Sequence, residues 1–336
     1  MSLTAFPNGI SSFGIPVLGG MFPFTGKYFF VKPYSGLDGN DGLSPDSAVK
    51  TLTKALALAT ANKNDVVFLI AESNSAGSTT DYQSSTLAWN KDGVHLVGIN
   101  AGGLMSQRSR VAFISTYVTA SNLITISAKN CLFANIEFFA GVASANPTGC
   151  MKITGMRNHF VNCHIAGIGD DLMDTAGAYS LWFYDSAENV FDSCTIGTET
   201  IGRGSAANAE ILFTTLAGVG SARNVFRKCL ITGWCASAGN YLFVSANAAN
   251  VLDRFLLFDD CVFHNPSTAI AGGAAMTQAM QIHANANGHV ILHNCTIVGA
   301  DNVNASDTGL VLCGAGSIPN NAEVTDLGLA LVTTNA

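Results

Sequence analysis

The chain has 336 residues, of which 12% are charged and 48% hydrophobic, and its formal net charge is −7. Disordered chains, coiled coils and long-helix proteins carry many more charges, so this composition excludes those classes. All 16 lysines and arginines lie at or before Arg254, and they form no basic stripe that could neutralise nucleic-acid phosphates. No run approaches the roughly 18 apolar residues of a membrane span. We therefore expect neither nucleic acid nor a membrane as a partner.

Residues 1–26 form an apolar leader with neither a helical nor a strand period. We expect an extended arm that docks on a partner, because so many exposed apolar side chains are a liability unless they are covered. A disordered leader is the alternative. Its start lacks a cationic segment followed by an apolar one, so we expect no signal peptide and synthesis in a cytosol. The residues expected to dock are Phe6, Pro7, Phe13, Ile15, Pro16, Val17 and Phe22.

Residues 27–92 are predicted to form an N-terminal cap, followed by the first strands. A strand and a Gly/Asp turn precede an amphipathic helix, expected from about Asp46 to Ala61, that would cover the first coil. Asp38-Gly-Asn-Asp-Gly42 resembles a calcium loop, but Val49 stands where the twelfth-position acid is expected. A plain turn is the expectation and a calcium site the alternative.

A repeat dominates residues 93–336. Six segments share one six-residue pattern. In order, it consists of an apolar residue, two mostly polar residues, Cys (Ile136 in the first copy), any residue and another apolar residue. Their fourth positions are 27 to 35 residues apart. The segments are Phe133–Phe138, Phe160–Ile165, Phe191–Ile196, Phe226–Ile231, Phe258–Phe263 and Leu292–Ile297. A second series of strand-like runs lies between them: Met151–Ile153, Leu181–Phe183, Ile211–Phe213, Leu242–Val244, Met280–Ile282 and Leu310–Leu312.

Each unit of about 30 residues therefore holds about three short strands and no helix, which predicts an all-β, single-stranded parallel β-helix. In the six-residue segment, the apolar residue and the Cys can both face inward only if a bend separates two strands. Asn135, Asn162, Asp260 and Asn294 stand at that bend, and Asn and Asp tolerate the left-handed backbone region.

The repeated cysteines are expected to stack inside the solenoid as a ladder of inert thiols, since buried Cys packs as a small hydrophobe. A redox or metal role is the alternative, although the chain has no Cys-x-x-Cys pair. The ladder consists of Cys163, Cys194, Cys229, Cys261 and Cys295.

The segment Phe29 to Leu56, with Ser-Gly-Leu-Asp-Gly-Asn-Asp-Gly-Leu-Ser-Pro and then Thr51-Leu52 and Ala55-Leu56, resembles the N-terminal cap of pectate-lyase-like right-handed β-helix proteins. The leader, from Phe6 to Val17, resembles the start of tailed-phage virion proteins of this fold. This resemblance implies a non-enzymatic head decoration or cement protein. It would be a homotrimer on the capsid surface of the virion, assembled in the host cytoplasm, whose arm binds the major capsid protein.

The alternative function is that of a tailspike-like protein that binds or cleaves a polysaccharide. Glycosidases need two carboxylates, and the candidates are Asp170, Asp171, Asp174 and Asp185. The Gly-His-Gly and Arg-Ile-Lys motifs of polygalacturonases are missing. Lyases that resemble pectate lyase need a basic proton abstractor beside calcium carboxylates, and this region offers only Lys152, Arg157 and Arg203 for that role. We expect solvated loop acids, and we predict no catalytic residue and no cofactor.

Two further sets of residues have possible functional roles. His283, His289 and His293 are close in sequence, but a strand places the last two too far apart for one metal ion, so surface histidines are expected. Trp89, Trp182 and Trp234 could form a sugar platform, with Trp182 facing outward to contact a glycan or another subunit.

Overall fold

The computed structural model describes residues 25–72, 80–106, 108–115, 119–216, 218–266 and 272–304. It also gives the backbone of four short strands, Ser11–Ser12, Ile15–Pro16, Val311–Cys313 and Val332–Thr333. Among the described residues, no helix is long and apolar enough to cross a membrane.

The chain passes repeatedly through three parallel sheets in the same order, and most coils add one strand to each sheet. The first sheet contains Tyr28–Val31, Val66–Ile70, His95–Ile99, Leu132–Ala134, His159–Val161, Val190–Asp192, Ser221–Arg227, Leu252–Asp259, Gly288–His293 and Val311–Cys313. The second contains Thr80–Gln83, Arg110–Phe113, Glu137–Ala140, His164–Ile168, Thr195–Ile196, Leu230–Thr232, Val262–His264, Thr296–Val298 and Val332–Thr333. The third contains Leu87–Trp89, Asn122–Ile126, Gly149–Ile153, Tyr179–Tyr184, Asn208–Thr214, Tyr241–Ala246 and Met280–Ile282. The fold is a right-handed parallel β-helix, as predicted.

A single residue with positive φ makes the bend between the first and second sheets. The predicted bend residues Asn135, Asn162, Asp260 and Asn294 have φ between 49° and 56°. Asn side chains bond from coil to coil here, and Asn162 Nδ2 donates to Asn135 Oδ1 at 2.8 Å. The sharp corner lets the residues on either side of it both face the core. Ser193 and Lys228 occupy the same position in two coils.

The core is built from columns of identical side chains. Five phenylalanines of the first sheet stack along the solenoid axis, with ring centroids 4.4 to 4.8 Å apart. The column consists of Phe133, Phe160, Phe191, Phe226 and Phe258. Because parallel strands are in register, the same position of each repeat meets its copy in the next coil.

The cap helix is Leu52–Leu58, shorter than expected, and the 3₁₀ turn Pro45–Ser47 precedes it. Val49 between them is extended, since its N–H donates to Phe30 O and its carbonyl accepts from Lys32 N, both at 2.9 Å. Leu52, Ala55 and Leu56 of this helix are buried over the first coil.

One strand of the second series was assigned to the wrong sheet. We expected Leu310–Leu312 to continue the third sheet, but Val311–Cys313 pairs with the first-sheet strand Gly288–His293. Residues 302–304 take the third-sheet place beside Met280, whose N–H donates to Val303 O at 2.9 Å.

Asp81 has a buried carboxyl group beneath the cap helix, and its contribution to the free energy of unfolding should depend on pH. It stands in register with the inward-facing Val111 and is 2% exposed. The Gln83 amide and the Leu52 backbone N–H are its hydrogen-bond partners. Burial raises its pKa from 3.8 to about 7. Between these values the folded protein retains a proton that the unfolded chain releases, so the free energy of unfolding falls as pH rises from 3.8 to about 7.

We expect Asp81→Asn to remove this loss of stability. The variant should melt several degrees above the unmodified protein at pH 8, with the difference shrinking toward pH 4, as measured by thermal denaturation across this range. Asp46→Asn, at an exposed carboxylate of the same cap, is the control. A difference for Asp81→Asn that is equal at both pH values would contradict the expectation.

Candidate functional site

Two of the loop carboxylates proposed as catalytic candidates cap or bridge loops. Asp170 caps the 3₁₀ turn Asp171–Met173, and its Oδ1 accepts from Leu172 N at 3.0 Å. Asp185 Oδ2 accepts from Leu216 N of the next coil at 3.1 Å. Asp171 is exposed.

Asp174 joins two coils. Its Oδ2 accepts from Gly204 N at 2.9 Å and Ser205 N at 3.0 Å, and its Oδ1 accepts from the Asn208 side chain. A carboxylate with this many donors is held in one orientation, which suits a structural acceptor.

The three basic residues considered as proton abstractors lie in three different environments. Lys152 is on the outer face of the third sheet, with Nζ 3.9 Å from the Trp182 ring centroid. Arg157 pairs at the surface with Glu188, Nε to Oε2, at 2.6 Å. Arg203 is 2% exposed and faces the buried carboxylate of Glu210.

The histidines considered as metal ligands also lie apart. His283 Nδ1 accepts from Asn285 N at 3.0 Å, and His293 Nδ1 lies 2.5 Å from Asp259 Oδ1. His289 is exposed on the strand that ends at His293. Within the described ranges, no group of three or more His, Cys, Asp or Glu side chains could hold a metal ion.

The calcium-like segment is a turn whose carboxylates bind protein donors. Asp38 Oδ1 accepts from Lys50 N and Thr51 N at 2.8 and 2.9 Å, and Oδ2 accepts from the Thr51 hydroxyl at 2.9 Å. Asp41 Oδ1 accepts from the Ser47 hydroxyl at 2.7 Å, and bonds from Leu43 and Ser47 lower its pKa. These acids fix the cap loop ahead of its helix.

An aromatic cluster lies on the outer face of the third sheet. It consists of Tyr179, Trp182, Tyr184 and the cation of Lys152. Trp182 meets Tyr179 and Tyr184 edge-on, at 5.3 and 5.6 Å between ring centroids. Its Nε1 donates to the Thr214 hydroxyl at 2.6 Å, which fixes the indole plane. Trp182 therefore faces outward. Trp89 is fully buried, and Trp234 lies in the short strand Trp234–Cys235, which pairs with Gly202–Arg203.

The cysteine ladder lies inside the solenoid. Cys163, Cys194, Cys229 and Cys261 are buried, and Cys295 at the end is partly exposed. Burial raises the pKa of Cys194 and Cys229, which keeps their thiols protonated. Protonated thiols are poor nucleophiles, which supports inertness at these two positions. Hydrogen bonds with Cys229 and Cys295 instead lower the pKa of Cys261. Inertness of the whole ladder stays a prediction.

The docking arm falls largely outside the described residues, including Phe6, Pro7, Phe13, Val17 and Phe22. Ile15 and Pro16 form a short strand that pairs antiparallel with Ser11–Ser12. Docking by the arm therefore remains a prediction.

The outer face of the first sheet carries a feature that the sequence did not reveal. A stripe of apolar residues, half-buried except for the buried Leu132, runs along it, flanked by charged residues on both sides. We call this surface the first-sheet face. Its stripe contains Leu132, Val190, Val225, Leu257 and Ile291, with the imidazole of His159 between Leu132 and Val190. Its charged residues are Arg157, Glu188, Asp192, Arg223, Arg227, Lys228, Asp259 and Asp260.

Charges on the first-sheet face pair between neighbouring coils. Asp192 receives Arg227 Nε at 2.8 Å on one side and His159 Nε2 at 2.5 Å on the other. Glu188 lies between Arg157 and Arg223, each at 2.6 Å, and these bonds lower its pKa. A shallow groove of about 350 Å³ lies over this charged edge. The face combines an apolar centre with a polar rim, the composition of a protein-binding surface.

The repeat contained the signal for part of this face. Asp192, Arg227, Asp259 and His293 each follow the apolar first residue of a six-residue segment, at the positions recorded only as mostly polar. The alternating sign of Asp192, Arg227 and Asp259 is visible once the strands are stacked in register.

No protein-family model matches the sequence, and no curated protein is significantly similar to it. Among solved structures, a pectin methylesterase from Aspergillus niger has a TM-score of 0.52 and 10% identity, covering 94% of this chain and 92% of that one. A rhamnogalacturonan lyase has a TM-score of 0.51 and 12% identity, covering 82% of this chain and 69% of that one. A Geobacillus virus E2 protein, ORF18, has a TM-score of 0.38 and 9% identity, covering 79% and 56%, which is too low to bear on function. At these identities the similarity establishes the fold alone, because parallel β-helices support unrelated functions.

Proposed function

We propose that the protein is a non-enzymatic structural protein of a phage virion that decorates the capsid and stabilises the head. Its N-terminal arm would bind the major capsid protein lattice, and the solenoid would stand on the capsid surface. The observation that carries the proposal is the leader, in which large apolar residues such as Phe6, Phe13 and Phe22 precede a well-packed cap.

The positions of the carboxylates support a structural role. Asp174 and Asp185 bind backbone N–H groups of the next coil, and Asp170 caps its own loop. Acid catalysis by a glycosidase requires a carboxyl whose pKa is raised, beside a second carboxylate across the bond. Asp174 and Asp185 act as acceptors that join neighbouring coils, and Asp170 acts as an acceptor within its own loop.

The test is binding of the full-length protein to capsid shells assembled from the major capsid protein alone. We expect deletion of residues 1–26 to abolish co-sedimentation with shells while leaving the melting temperature nearly unchanged. Trp182→Ala, which leaves the leader intact, is the matched control and should bind as the full chain does. Equal binding of the deletion and the full chain would overturn the proposal.

The aromatic cluster favours a second candidate, binding of a surface polysaccharide. Sugar rings stack on outward aromatic side chains, and Trp182 presents such a group beside Lys152. Solved structures of similar fold include a pectin methylesterase and a rhamnogalacturonan lyase. If this candidate is correct, Trp182→Ala loses retention on a polysaccharide column while deletion of residues 1–26 does not. Release of reducing or unsaturated sugars, lost in Asp170→Asn with Asp171→Asn, would indicate cleavage.

A further inference from the structure

The charges of the first-sheet face are arranged in rows of alternating sign, one row per coil. Strand register defines the rows, because Val190, Val225 and Leu257 pair in sequence across three coils, each with its charged neighbours alongside. Row one holds Arg157; row two, Glu188 and Asp192; row three, Arg223, Arg227 and Lys228; row four, Asp259 and Asp260. Asp253 and Arg254 also lie in row four but pair with each other at 3.6 Å. The signs therefore run positive, negative, positive, negative along the solenoid.

This order of signs is complementary to the order on a second copy that is rotated by 180°, so that its rows run in the opposite direction. A two-fold axis between rows two and three brings row two of one copy against row three of the other, and row one against row four. Every facing pair of rows then has opposite sign. Two copies facing each other in parallel would instead bring rows of like charge together, which is unfavourable.

The apolar stripe obeys the same symmetry. Val190 of row two would face Val225 of row three across the axis, and His159, which occupies the stripe position of row one, would face Leu257 of row four. Leu132, one coil before row one, would face Ile291, one coil beyond row four. These residues are partly or largely buried within one copy, and a second copy would cover the remaining surface. Isologous contacts of this kind, with an apolar centre and a charged rim, are the usual basis of homodimers.

We propose that the first-sheet face binds a second copy of this chain in an antiparallel, two-fold arrangement. The inference is independent of the capsid proposal, because the leader takes no part in it. It also differs from the homotrimer implied by the resemblance, since a three-fold axis along the solenoid does not invert the order of the rows.

The experiment measures the mass of the full chain in solution and exploits the symmetry of the rows. Light scattering at low salt should give twice the monomer mass of 34.9 kDa. Arg223→Glu with Arg227→Glu makes row three negative, and Glu188→Lys with Asp192→Lys makes row two positive. Each double variant opposes like charges across the axis, so each should be monomeric, with at least tenfold weaker association. An equimolar mixture of the two restores opposite signs at both contacts, so it should return to the dimer mass.

Controls separate this contact from misfolding and from general charge effects. Lys54→Glu with Lys63→Glu changes two charges on the cap, away from the face, and should remain dimeric. Val225→Asp alters the centre of the stripe without reversing a row and should also dissociate, with thermal denaturation confirming that each variant is folded. The proposal is overturned if the unmodified chain is monomeric or trimeric, or if the mixture of charge variants stays monomeric.

Discussion

Replacing Glu210 with alanine is expected to lower the free energy of unfolding by about 3–5 kcal/mol, because the substitution leaves a buried guanidinium without its counter-charge. Glu210 is fully buried, and Arg203 Nη1 lies 3.4 Å from its Oε1. The same carboxylate accepts from the Tyr241 hydroxyl at 2.8 Å and from the Ser180 hydroxyl. Alanine would therefore leave three polar groups without their acceptor in a space that has no room for bulk water.

Urea denaturation at neutral pH measures this effect, and two variants identify its cause. Glu188→Ala removes a carboxylate that also sits between two arginines, but at the surface, so its effect should be far smaller. Replacing the buried pair together, by Glu210→Leu with Arg203→Met, should recover much of the stability lost in Glu210→Ala. A single Glu210→Ala that unfolds at the same urea concentration as the unmodified chain would show that the buried pair is unimportant.

The sequence predicted the parts of the fold that each coil repeats. Phe160 and Cys163 recur because parallel strands place the same position of every coil on the same inner column. The bend at Asn162 was predictable because its backbone needs a positive φ, which restricts the residue type. Local chemistry and a fixed period were sufficient for these features.

Features that depend on contacts between particular coils were not predictable. Charged residues such as Glu210 and Arg203 are usually expected at the surface. Their burial follows from the packing of the loop in which the short strand Gly202–Arg203 pairs with Trp234–Cys235. Loop length also varies between coils, so Leu310–Leu312 matched the pattern of one sheet while Val311–Cys313 joined another. The row order on the first-sheet face required the register of every strand.

Phe191→Ala is expected to destabilise the solenoid by about 3–5 kcal/mol, the usual cost of emptying a buried aromatic site that cannot collapse. The ring lies 4.4 Å from Phe160 and 4.6 Å from Phe226, centroid to centroid, and meets Phe183 edge-on at 5.8 Å. Rigid ladders on both sides hold these neighbours in place, so the cavity should persist.

The position of Phe191 in the column should make its effect larger than that of a residue at either end. In a solenoid each coil is stabilised mainly by its two neighbours, so a cavity in a middle coil weakens two interfaces at once. Urea denaturation of Phe191→Leu, which keeps most of the volume, should show a loss below about 1.5 kcal/mol. Leu216→Ala, at a side chain 81% exposed, should change stability by less than about 0.5 kcal/mol. If Phe191→Ala costs no more than Leu216→Ala, the phenylalanine column does not hold the coils together.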